Sequence, residues 1–548
     1  MKILFLARRY SYYRNYDSVI RSLAVRGHVL HLAVDRENDE GLPLIQRLAA
    51  FSPNITYQEL PPKSGDDWTW LAGRLRHGIE HLRYQHPMFD DTPKLRARSA
   101  ERTPGGFVRL GEFIRHRAVW ARRPLTALLD WLERALPENP DFRAFIEQHR
   151  PDLVLLTPLI GLGSQQIDYL RAARSLAVPT GLAVWSWDHL SSKALIREVP
   201  DRVFVWNETQ QREAIEYHRV PEDRIAVTGA QCFDRWFGRR PSRDRYTLCQ
   251  AIGLTPVRPF VLYVCSAPFI GSQPEAPFVM EWVRRLRESK GVLREVPILI
   301  RPHPSRTAEW ADVDLSPYRD VVVWGSNPVD PHSRNDYFDS LYHSAAVVGL
   351  NTSAFIEAGI VGRPVLTILL PEWHENQLGT THFRYLFDAG GGLLESAPGF
   401  DQHLAQLERA VTAPPAGLRP FVREFVRPHG LDVPATPIFV ERVEAMEGLK
   451  VSQPAPPRFQ PLARWINSRL RRWRDDPDRE RLAYAGSELE TVRRMRALRQ
   501  AKKERERAVK KERARERAAR EAVREDEIDQ FRTVKRAQEE AAQRRAAR

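Results

Sequence analysis

Three consecutive polar residues in the second half of the chain have the spacing of an anion site. Asn351, Thr352 and Ser353 stand between an apolar run and a predicted helix. Free backbone N–H groups and the helix dipole favour a diphosphate at such a start. Glu357 follows one turn later, where its carboxylate could accept two hydrogen bonds from a ribose. The segment therefore predicts nucleotide binding, although an ordinary helix cap beside a surface glutamate uses the same residue types.

A second polar group follows another apolar run. Arg301 and His303 flank a Pro-His-Pro turn, where a cation and an imidazole could bind phosphate. The alternative is a proline turn with a structural arginine, which needs no ligand. Thr380 and His382 come after the next predicted strand, in a loop that we expect to reach the sugar.

The first half offers candidates for acid–base chemistry. Asp188 and His189 come directly after a predicted strand, so either could serve as the general base for an acceptor hydroxyl. Trp185 and Trp187 beside them could stack on a sugar ring. The competing interpretation is that the tryptophans are core residues and that Asp188 caps the next helix.

Strands alternating with helices must position these residues. The chain opens with a predicted strand over Lys2–Ala7, a helix and a second strand over Val29–Val34, and such a unit requires a parallel sheet. The other predicted strands are Leu153–Thr157, Gly181–Trp185, Val203–Trp206 and Ile225–Thr228 in the first half, and Phe260–Cys265, Pro297–Arg301, Val321–Trp324, Ala346–Gly349 and Val365–Ile368 in the second. Ligands of parallel α/β sheets bind at the carboxyl ends of the strands. We therefore expect an α/β protein with two Rossmann-like domains facing a cleft.

Composition divides the chain into five segments. We expect an N-terminal Rossmann-like acceptor domain over 1–238, interrupted at 61–124 by a basic, aromatic insertion. A linker over 239–256 leads to a nucleotide-sugar domain over 257–460, which ends in a helix returning across the cleft. Residues 461–548 form a tail that is rich in Arg, Lys, Glu and Ala and predicted to be helical or disordered.

Charge is concentrated in this tail. It carries 28 basic and 17 acidic residues, which gives +11 of the formal net charge of +14. The remainder of the chain is nearly neutral, so we do not expect nucleic acid as a partner of the folded part. The tail itself is either a solvated helix or a segment that binds an anionic surface, whether lipid or nucleic acid. The insertion either packs as an amphipathic surface or approaches a lipid-linked acceptor.

Cysteine content and hydropathy bear on the compartment. The three cysteines form no CxxC pair, which fits a reducing environment and argues against structural zinc. The apolar start is interrupted at Arg8 and Arg9 and is too short for a signal peptide, and no apolar run reaches the length of a membrane span. We expect a cytoplasmic protein whose only membrane contact is peripheral.

An ordered set of motifs resembles bacterial GT-B enzymes over about residues 1–450. The set comprises Val227-Thr-Gly229, Pro302-His-Pro304, Asn351-Thr-Ser353 with Glu357, and Gly362-Arg-Pro364. The families concerned are capsular glycosyltransferases, CDP-glycerol glycerophosphotransferases and non-hydrolysing UDP-N-acetylglucosamine 2-epimerases. In them the Pro-His-Pro segment lines the donor site, and the polar helix start with its glutamate holds the nucleotide.

The resemblance implies a glycosyltransferase. The epimerases usually carry Asp-Ser-Gly-Gly and a Glu-Glu pair, whereas this chain has Asn351-Thr-Ser-Ala354 and a single Glu357. The implied partners are a nucleotide-sugar donor and a saccharide or lipid-linked acceptor, with no metal and no cofactor. An epimerase or a glycerophosphotransferase of the same fold is one alternative. A non-catalytic scaffold whose tail binds an anionic surface is the other.

Overall fold

The first half of the chain forms a seven-stranded parallel sheet. The computed structural model describes residues 1–35, 41–61, 67–160, 165–268, 273–413, 417, 420–451 and 453–472, so most of the predicted tail lies outside the described residues. The strands are β1 (Lys2–Ala7), β2 (Val29–Val34), β3 (Ile55–Glu59), β4 (Leu153–Thr157), β5 (Thr180–Ala183), β6 (Arg202–Val205) and β7 (Ile225–Val227). Their order in the sheet is β3-β2-β1-β4-β5-β6-β7.

The second half repeats this plan with six parallel strands. They are β8 (Val261–Val264), β9 (Ile298–Arg301), β10 (Val321–Val323), β11 (Ala346–Gly349), β12 (Val365–Ile368) and β13 (Leu394–Ala397), in the order β10-β9-β8-β11-β12-β13. In each sheet the chain moves outward from a central strand and then crosses back to its other side. This doubly wound order confirms the prediction of two Rossmann-like domains, and it opens a ligand crevice where the order reverses.

Helices cover both sheets. They are α1 (Asp17–Val25), α2 (Leu42–Phe51), α3 (Asp67–Arg83), α4 (Pro93–Arg102), α5 (Gly105–Arg117), α6 (Arg122–Arg134), α7 (Pro140–His149), α8 (Gln166–Ser175), α9 (His189–Ser192), α10 (Glu208–His218), α11 (Arg245–Ile252), α12 (Ala276–Glu288), α13 (Pro331–His343), α14 (Ala354–Ile360), α15 (Thr381–Asp388), α16 (Phe400–Thr412), α17 (Ala435–Glu444) and α18 (Gln460–Leu470). Among the described residues, none of these helices combines the length and the hydropathy that crossing a bilayer requires.

The strands differ in how readily they can be predicted from the sequence. β1 pairs with β2 and β4 and is apolar from Ile3 to Ala7. This composition is expected of a central parallel strand, which is covered on both faces. Sequence reasoning missed β3 and β13, each of which lies at one edge of its sheet. Both contain polar as well as apolar residues, and only some of their positions are buried.

The insertion is a helical layer between β3 and β4. The predicted boundary at residue 124 falls inside α6, and the helices continue through α7. α18 packs on this layer, with Ala463 fully buried and the Asn467 side-chain amide donating to the Leu132 carbonyl at 2.8 Å. The predicted start of the tail at 461 therefore lies inside a packed helix. Pro461 does not mark the end of the folded part, because proline is tolerated in the first turn of a helix.

α17 connects the two domains. It follows the second sheet in sequence, yet Phe439, Val440 and Val443 are buried in the core of the first domain. Asp234 fixes the start of this helix by accepting the backbone N–H groups of Ala435 at 3.0 Å and of the next residue at 2.6 Å. The return helix thus ties the domains together beside the crevice.

Candidate functional site

A cavity of about 270 Å³ lies between the two domains. Its walls include Arg14 after β1, Trp185 after β5, Arg301 and His303 at the end of β9, and Thr352 after β11. All of these residues follow the carboxyl ends of strands, where parallel α/β sheets bind their ligands. Two sheets therefore contribute side chains to one site.

Positive charge dominates the lining. Five arginines line the cavity: Arg14, Arg235, Arg239, Arg301 and Arg334. Within the part of the chain that the structure describes, no carboxylate forms an ion pair with any of them. Burial lowers the pKa of Arg14, and the positive charge of Arg235 lowers it further. Unpaired guanidinium groups held this way suit a ligand with several negative charges, because arginine binds phosphate through paired donors.

Arg301 is the most deeply buried of the five, with 4% of its surface exposed. It donates to the Ser340 hydroxyl at 3.1 Å and to the Ser326 carbonyl at 3.3 Å. Its guanidinium lies 5.3 Å from the Trp324 ring and 5.2 Å from the Tyr337 ring. Burial lowers the pKa of Arg301 to about 10, so it remains charged at neutral pH. These neighbours are neutral at that pH and leave the charge available to a ligand.

His303 presents a neutral imidazole at the cavity. Its Nδ1 accepts the Ser305 backbone N–H at 3.1 Å, so the neutral ring carries its proton on Nε2. Burial, with the nearby Arg306 charge, lowers the pKa of His303 to about 4. His303 can therefore donate one hydrogen bond to a phosphate oxygen without adding a charge.

Glu357 is the carboxylate among the described residues that line the cavity, and it accepts a hydrogen bond from the Tyr337 hydroxyl. Burial raises the pKa of Glu357 to about 7, although Tyr337, Arg235 and Arg14 each act to lower it. Its proton is therefore gained or lost near neutral pH. In its ionised form this carboxylate can accept hydrogen bonds from a diol.

The polar residues before α14 divide into two groups. Thr352 and Ser353 line the cavity, and Ser353 makes no capping hydrogen bond, unlike an ordinary helix cap. Asn351 instead ties loops together, because its backbone N–H donates to the Ser266 hydroxyl at 3.1 Å and its side-chain amide donates to the Asn376 carbonyl.

Thr380 and His382 lie outside the lining. The Thr380 hydroxyl donates to the Gln377 carbonyl at 2.8 Å, and His382 packs edge-on against Trp187 at 4.6 Å. Both are nearly buried, because the first turn of α15 packs inward. This geometry does not favour the predicted contact of Thr380 and His382 with a sugar. The Trp187 indole lies between His382 and the cavity.

The two candidates for the general base are placed differently. His189 is fully buried, its Nδ1 accepts the Trp185 N–H at 3.3 Å, and its Nε2 lies 2.8 Å from the Pro158 carbonyl. With both nitrogens engaged, His189 has no free lone pair for an acceptor proton. Burial also lowers its pKa to about 3. The geometry does not favour His189 as a base.

Asp188 lies just behind the lining. Its carboxylate accepts hydrogen bonds from Ser186 at 2.5 Å, Ser192 at 2.8 Å and Lys193 at 2.9 Å. Burial would raise its pKa, but Lys193 and His382 hold the pKa of Asp188 well below its usual range. Ser186 lines the cavity, so Asp188 reaches a ligand through this hydroxyl.

Sequence reasoning missed several residues of the site, and four of them come from two segments. Arg235 and Arg239 follow β7 in a segment without a motif, and Arg334 and Tyr337 lie three residues apart on α13. Spacing of three does place two residues on one helix face. What the sequence did not reveal is that this face of α13 borders the crevice.

Other places in the described part of the chain are weaker candidates. A second cavity of about 510 Å³ lies between the insertion and residues 454–464. Its Arg171 and Arg174 pair with Glu198 at 3.3 and 2.9 Å, so much of its charge is already balanced. No group of three or more His, Cys, Asp or Glu side chains among the described residues is arranged to hold a metal ion.

Comparisons with known proteins found similarities of structure. No protein-family model and no curated protein sequence matches the chain. The UDP-GlcNAc 2-epimerase of Methanocaldococcus jannaschii in complex with UDP-GlcNAc and UDP is 12% identical, with a TM-score of 0.46 over 81% of this chain and 99% of its own. WaaG, a glycosyltransferase involved in lipopolysaccharide biosynthesis, is 11% identical, with a TM-score of 0.41 over 81% and 100%. Anabaena Alr3699/HepE in complex with UDP is 12% identical, with a TM-score of 0.44 over 81% and 100%.

The strand orders of the two sheets decide the fold. Both follow the doubly wound pattern, and residues from the two domains line the same cavity. What this cavity binds follows from its own residues. The chain has the GT-B fold, two Rossmann-like domains with a ligand cavity between them.

Proposed function

We propose that this chain is a glycosyltransferase, which moves a sugar from a nucleoside-diphosphate donor to an acceptor hydroxyl in the synthesis of a surface polysaccharide or glycolipid. The observation that carries the proposal is the cavity with five arginines, none of which forms an ion pair with a described residue, and with Glu357 in the same lining. A diphosphate supplies the missing negative charge. A ribose supplies the diol that a carboxylate recognises.

The donor is recognised by charge and shape together. Arg301 and the Nε2–H of His303 bind diphosphate oxygens, and the Thr352 hydroxyl adds a neutral donor on the same wall. Glu357 accepts from the ribose hydroxyls. The Trp185 indole on the opposite wall offers an apolar face to the sugar.

Transfer breaks the bond between the anomeric carbon and the diphosphate oxygen, and the electron pair leaves with the diphosphate. The acceptor oxygen forms the new bond to the anomeric carbon and loses its proton. Arginines already aimed at the diphosphate stabilise the charge that develops on the leaving group, because they need no reorganisation during the reaction. The protein thereby supplies the positive charge that a leaving diphosphate requires.

The released proton needs an acceptor within reach of the cavity. Ser186 lines the cavity and donates to Asp188 at 2.5 Å. The acceptor proton passes to the Ser186 oxygen as the Ser186 proton passes to Asp188. Because the low pKa of Asp188 makes it a weak base, this transfer takes place only as the bond to the diphosphate breaks and the attacking hydroxyl becomes acidic. Of the two candidates, Asp188 has this path and His189 does not.

Replacing Asp188 with asparagine is expected to lower kcat about a hundredfold, because the asparagine cannot take the proton. Donor affinity should not change, since Asp188 does not line the cavity. Ser186→Ala is the matched variant, and it should lower kcat in the same way. Steady-state kinetics and donor titration check the pair; weakened donor binding at unchanged kcat would show that Asp188 only positions the loop.

The binding step is tested with a thermal-shift panel on the full chain, using UDP, GDP, CDP and their sugars. A rise in Tm with one nucleotide, abolished in Glu357→Ala, would support the donor site and identify the base. No rise with any of them would favour a non-catalytic scaffold. Product analysis with and without acceptors then separates the activities, because an epimerase converts the sugar nucleotide without an acceptor.

The affinity for a nucleoside diphosphate should rise between pH 6 and pH 8, because the carboxyl of Glu357, with its pKa raised to about 7, ionises there. Glu357→Gln should bind about tenfold more weakly at pH 8 and lose this pH dependence. Calorimetric titration at several pH values checks both results. An unchanged profile in the glutamine variant would assign the dependence to another group.

The same ionisation affects stability without ligand. A carboxyl whose pKa is raised by folding binds its proton more tightly in the native state, so stability falls as the pH rises from about 4.5 to about 7. Thermal melts of the ligand-free chain should show a smaller decline over this range for Glu357→Gln than for the wild type. Equal declines would mean that Glu357 titrates normally.

A further inference from the structure

The insertion presents apolar side chains to solvent. On α5 the exposed fractions are 40% for Leu110 and 57% for Phe113, and just beyond it they are 55% for Val119 and 80% for Trp120. Single exposed apolar residues are normal on a protein surface, but a contiguous group marks a contact site. These four lie within eleven residues of one another in sequence.

The packing of α5 fixes which side faces outward. Val108 and Ile114 are buried, and Gly111 between them lies against the His81 ring so closely that a Cβ would clash with it. The inner face is therefore set by a close approach that only glycine allows. Leu110 and Phe113 must point away from the protein, because they lie on the opposite side of the helix.

Arginines lie next to these apolar side chains in the sequence. Arg117 and Arg123 are exposed, and within the described residues Arg117, Arg122 and Arg123 form no ion pair. Burial lowers the pKa of Arg122, and the nearby charges of Arg123 and Arg219 lower it further. Elsewhere in the insertion Arg115 does pair with a carboxylate, at 2.7 Å from Asp90.

We define the basic–apolar face as Leu110, Phe113, Arg117, Trp120, Arg122 and Arg123. We propose that this face binds the surface of an anionic lipid bilayer. The tryptophan and phenylalanine enter the interface between headgroups and acyl chains, and the arginines pair with lipid phosphates. The inference does not depend on the proposed activity, since none of these residues lines the cavity between the domains.

The composition of the face favours lipid over other anionic partners. Single-stranded nucleic acid is held by aromatic rings on which bases stack, and aliphatic side chains such as Leu110 and Val119 add nothing to stacking. A bilayer interface accepts aliphatic and aromatic groups equally, provided that cations lie at the level of the headgroups. The combination of unpaired arginines and apolar side chains in this segment meets that condition.

The proposal is tested by sedimenting the full chain with vesicles of phosphatidylcholine alone and with vesicles that contain a third phosphatidylglycerol. We expect binding only to the anionic vesicles, weakening with salt. Arg122→Gln with Arg123→Gln should weaken binding about 25-fold, or about fivefold for each arginine. Phe113→Ser with Trp120→Ala should weaken it more than about tenfold.

A matched control removes exposed apolar groups elsewhere. Tyr246→Ala with Val257→Ser changes residues that are 57% and 81% exposed in the second domain, and this variant should bind vesicles like the wild type. Because the basic tail is present in every variant, equal binding by the wild type and both face variants would overturn the proposal and assign the attraction to the tail.

Hydrogen exchange locates the contact directly. Amides over residues 105–124 should exchange more slowly when anionic vesicles are added to the full chain, and less so in the Phe113 and Trp120 double variant. The proposal fails if this segment is unprotected by vesicles. It also fails if polyuridine RNA, and not lipid, protects the segment.

Discussion

Replacing Arg301 with methionine is expected to lower kcat/KM for sugar transfer about a thousandfold, because the guanidinium supplies two charged donors to the leaving diphosphate. The affinity for the nucleoside diphosphate alone should fall about a hundredfold. Titration of UDP, or of whichever nucleotide the panel identifies, and initial rates check the two values. Arg301→Lys should recover only part of the loss, because a lysine keeps the charge but not the paired donors.

The stability of this variant separates binding from folding. Arg301 is 4% exposed and has no carboxylate partner among the described residues. Desolvation of its charge therefore lowers the free energy of unfolding. Methionine keeps the contact with the rings of Trp324 and Tyr337 and removes that charge. We therefore expect the Tm of Arg301→Met without ligand to equal or exceed that of the wild type.

Arg306 provides a matched control. It is also 4% exposed, but it forms an ion pair with Glu309 at 2.6 Å and donates to the Gln273 carbonyl at 3.1 Å. Arg306→Met should lower the Tm, because it leaves a partly buried carboxylate without its partner. If Arg301→Met unfolds as readily as Arg306→Met, then Arg301 is a structural residue and its place in the donor site is contradicted.

A subtler variant tests the position of the guanidinium while the charge is kept. Gly325 has a φ of +121°, and a Cβ there would collide with the Arg301 guanidinium. Gly325→Ala should therefore displace Arg301 and weaken nucleotide binding. Both the backbone conformation and the close approach require glycine at this position.

The central strands could be predicted from sequence because they are apolar along most of their length. In β1 the residues from Ile3 to Ala7 are buried, and such runs stand out from amphipathic helices. The outer strand β3 shares its polar composition with loops, so nothing local distinguishes it. The helical insertion was recognised by composition, but its end was not, since charged amphipathic helices continue into α6 and α7.

Sequence reasoning identified residues of the cavity lining where a residue directly follows a strand end. Arg301 and His303 line the cavity because the end of β9 points there. Arg235 and Arg334 are nearly a hundred residues apart, and only tertiary packing brings them to the same cavity. The sequence also could not reveal that both nitrogens of His189 have backbone partners, because those partners belong to other turns of the chain.

Glu133→Gln is expected to destabilise the N-terminal domain by about 3–5 kcal/mol, the usual cost of removing one partner from a buried ion cluster. Glu133 lies on α6, is fully buried, and contacts Arg76 at 2.6 Å, Arg197 at 3.2 Å and Arg171 at 3.5 Å. Arg197 has no other ion pair among the described residues, so its charge would be left buried and unbalanced. Thermal unfolding checks the loss as a lower Tm.

Acid should reproduce part of this loss in the wild type. Burial alone would raise the pKa of Glu133, but Arg197, Arg171 and Arg76 hold it down to about 2. A carboxyl whose pKa is lowered by folding stabilises the native state above about pH 4.5, and that contribution disappears as the pH falls towards 2. The wild type should therefore lose stability more steeply than Glu133→Gln between these two values.

A double variant distinguishes two causes of the lost stability. One is the loss of the attraction between Glu133 and its arginines, and the other is the cost of an unpaired charge on Arg197. If Glu133→Gln lowers stability because it leaves the charge of Arg197 unpaired, then Glu133→Met with Arg197→Met, which removes both charges, should recover much of that stability. Glu198→Gln changes a carboxylate of the same cluster that is 14% exposed, so it should cost less than Glu133→Gln. A double variant no more stable than Glu133→Gln would mean that the ion pair itself, rather than the balance of charge, supports the insertion on which α18 packs.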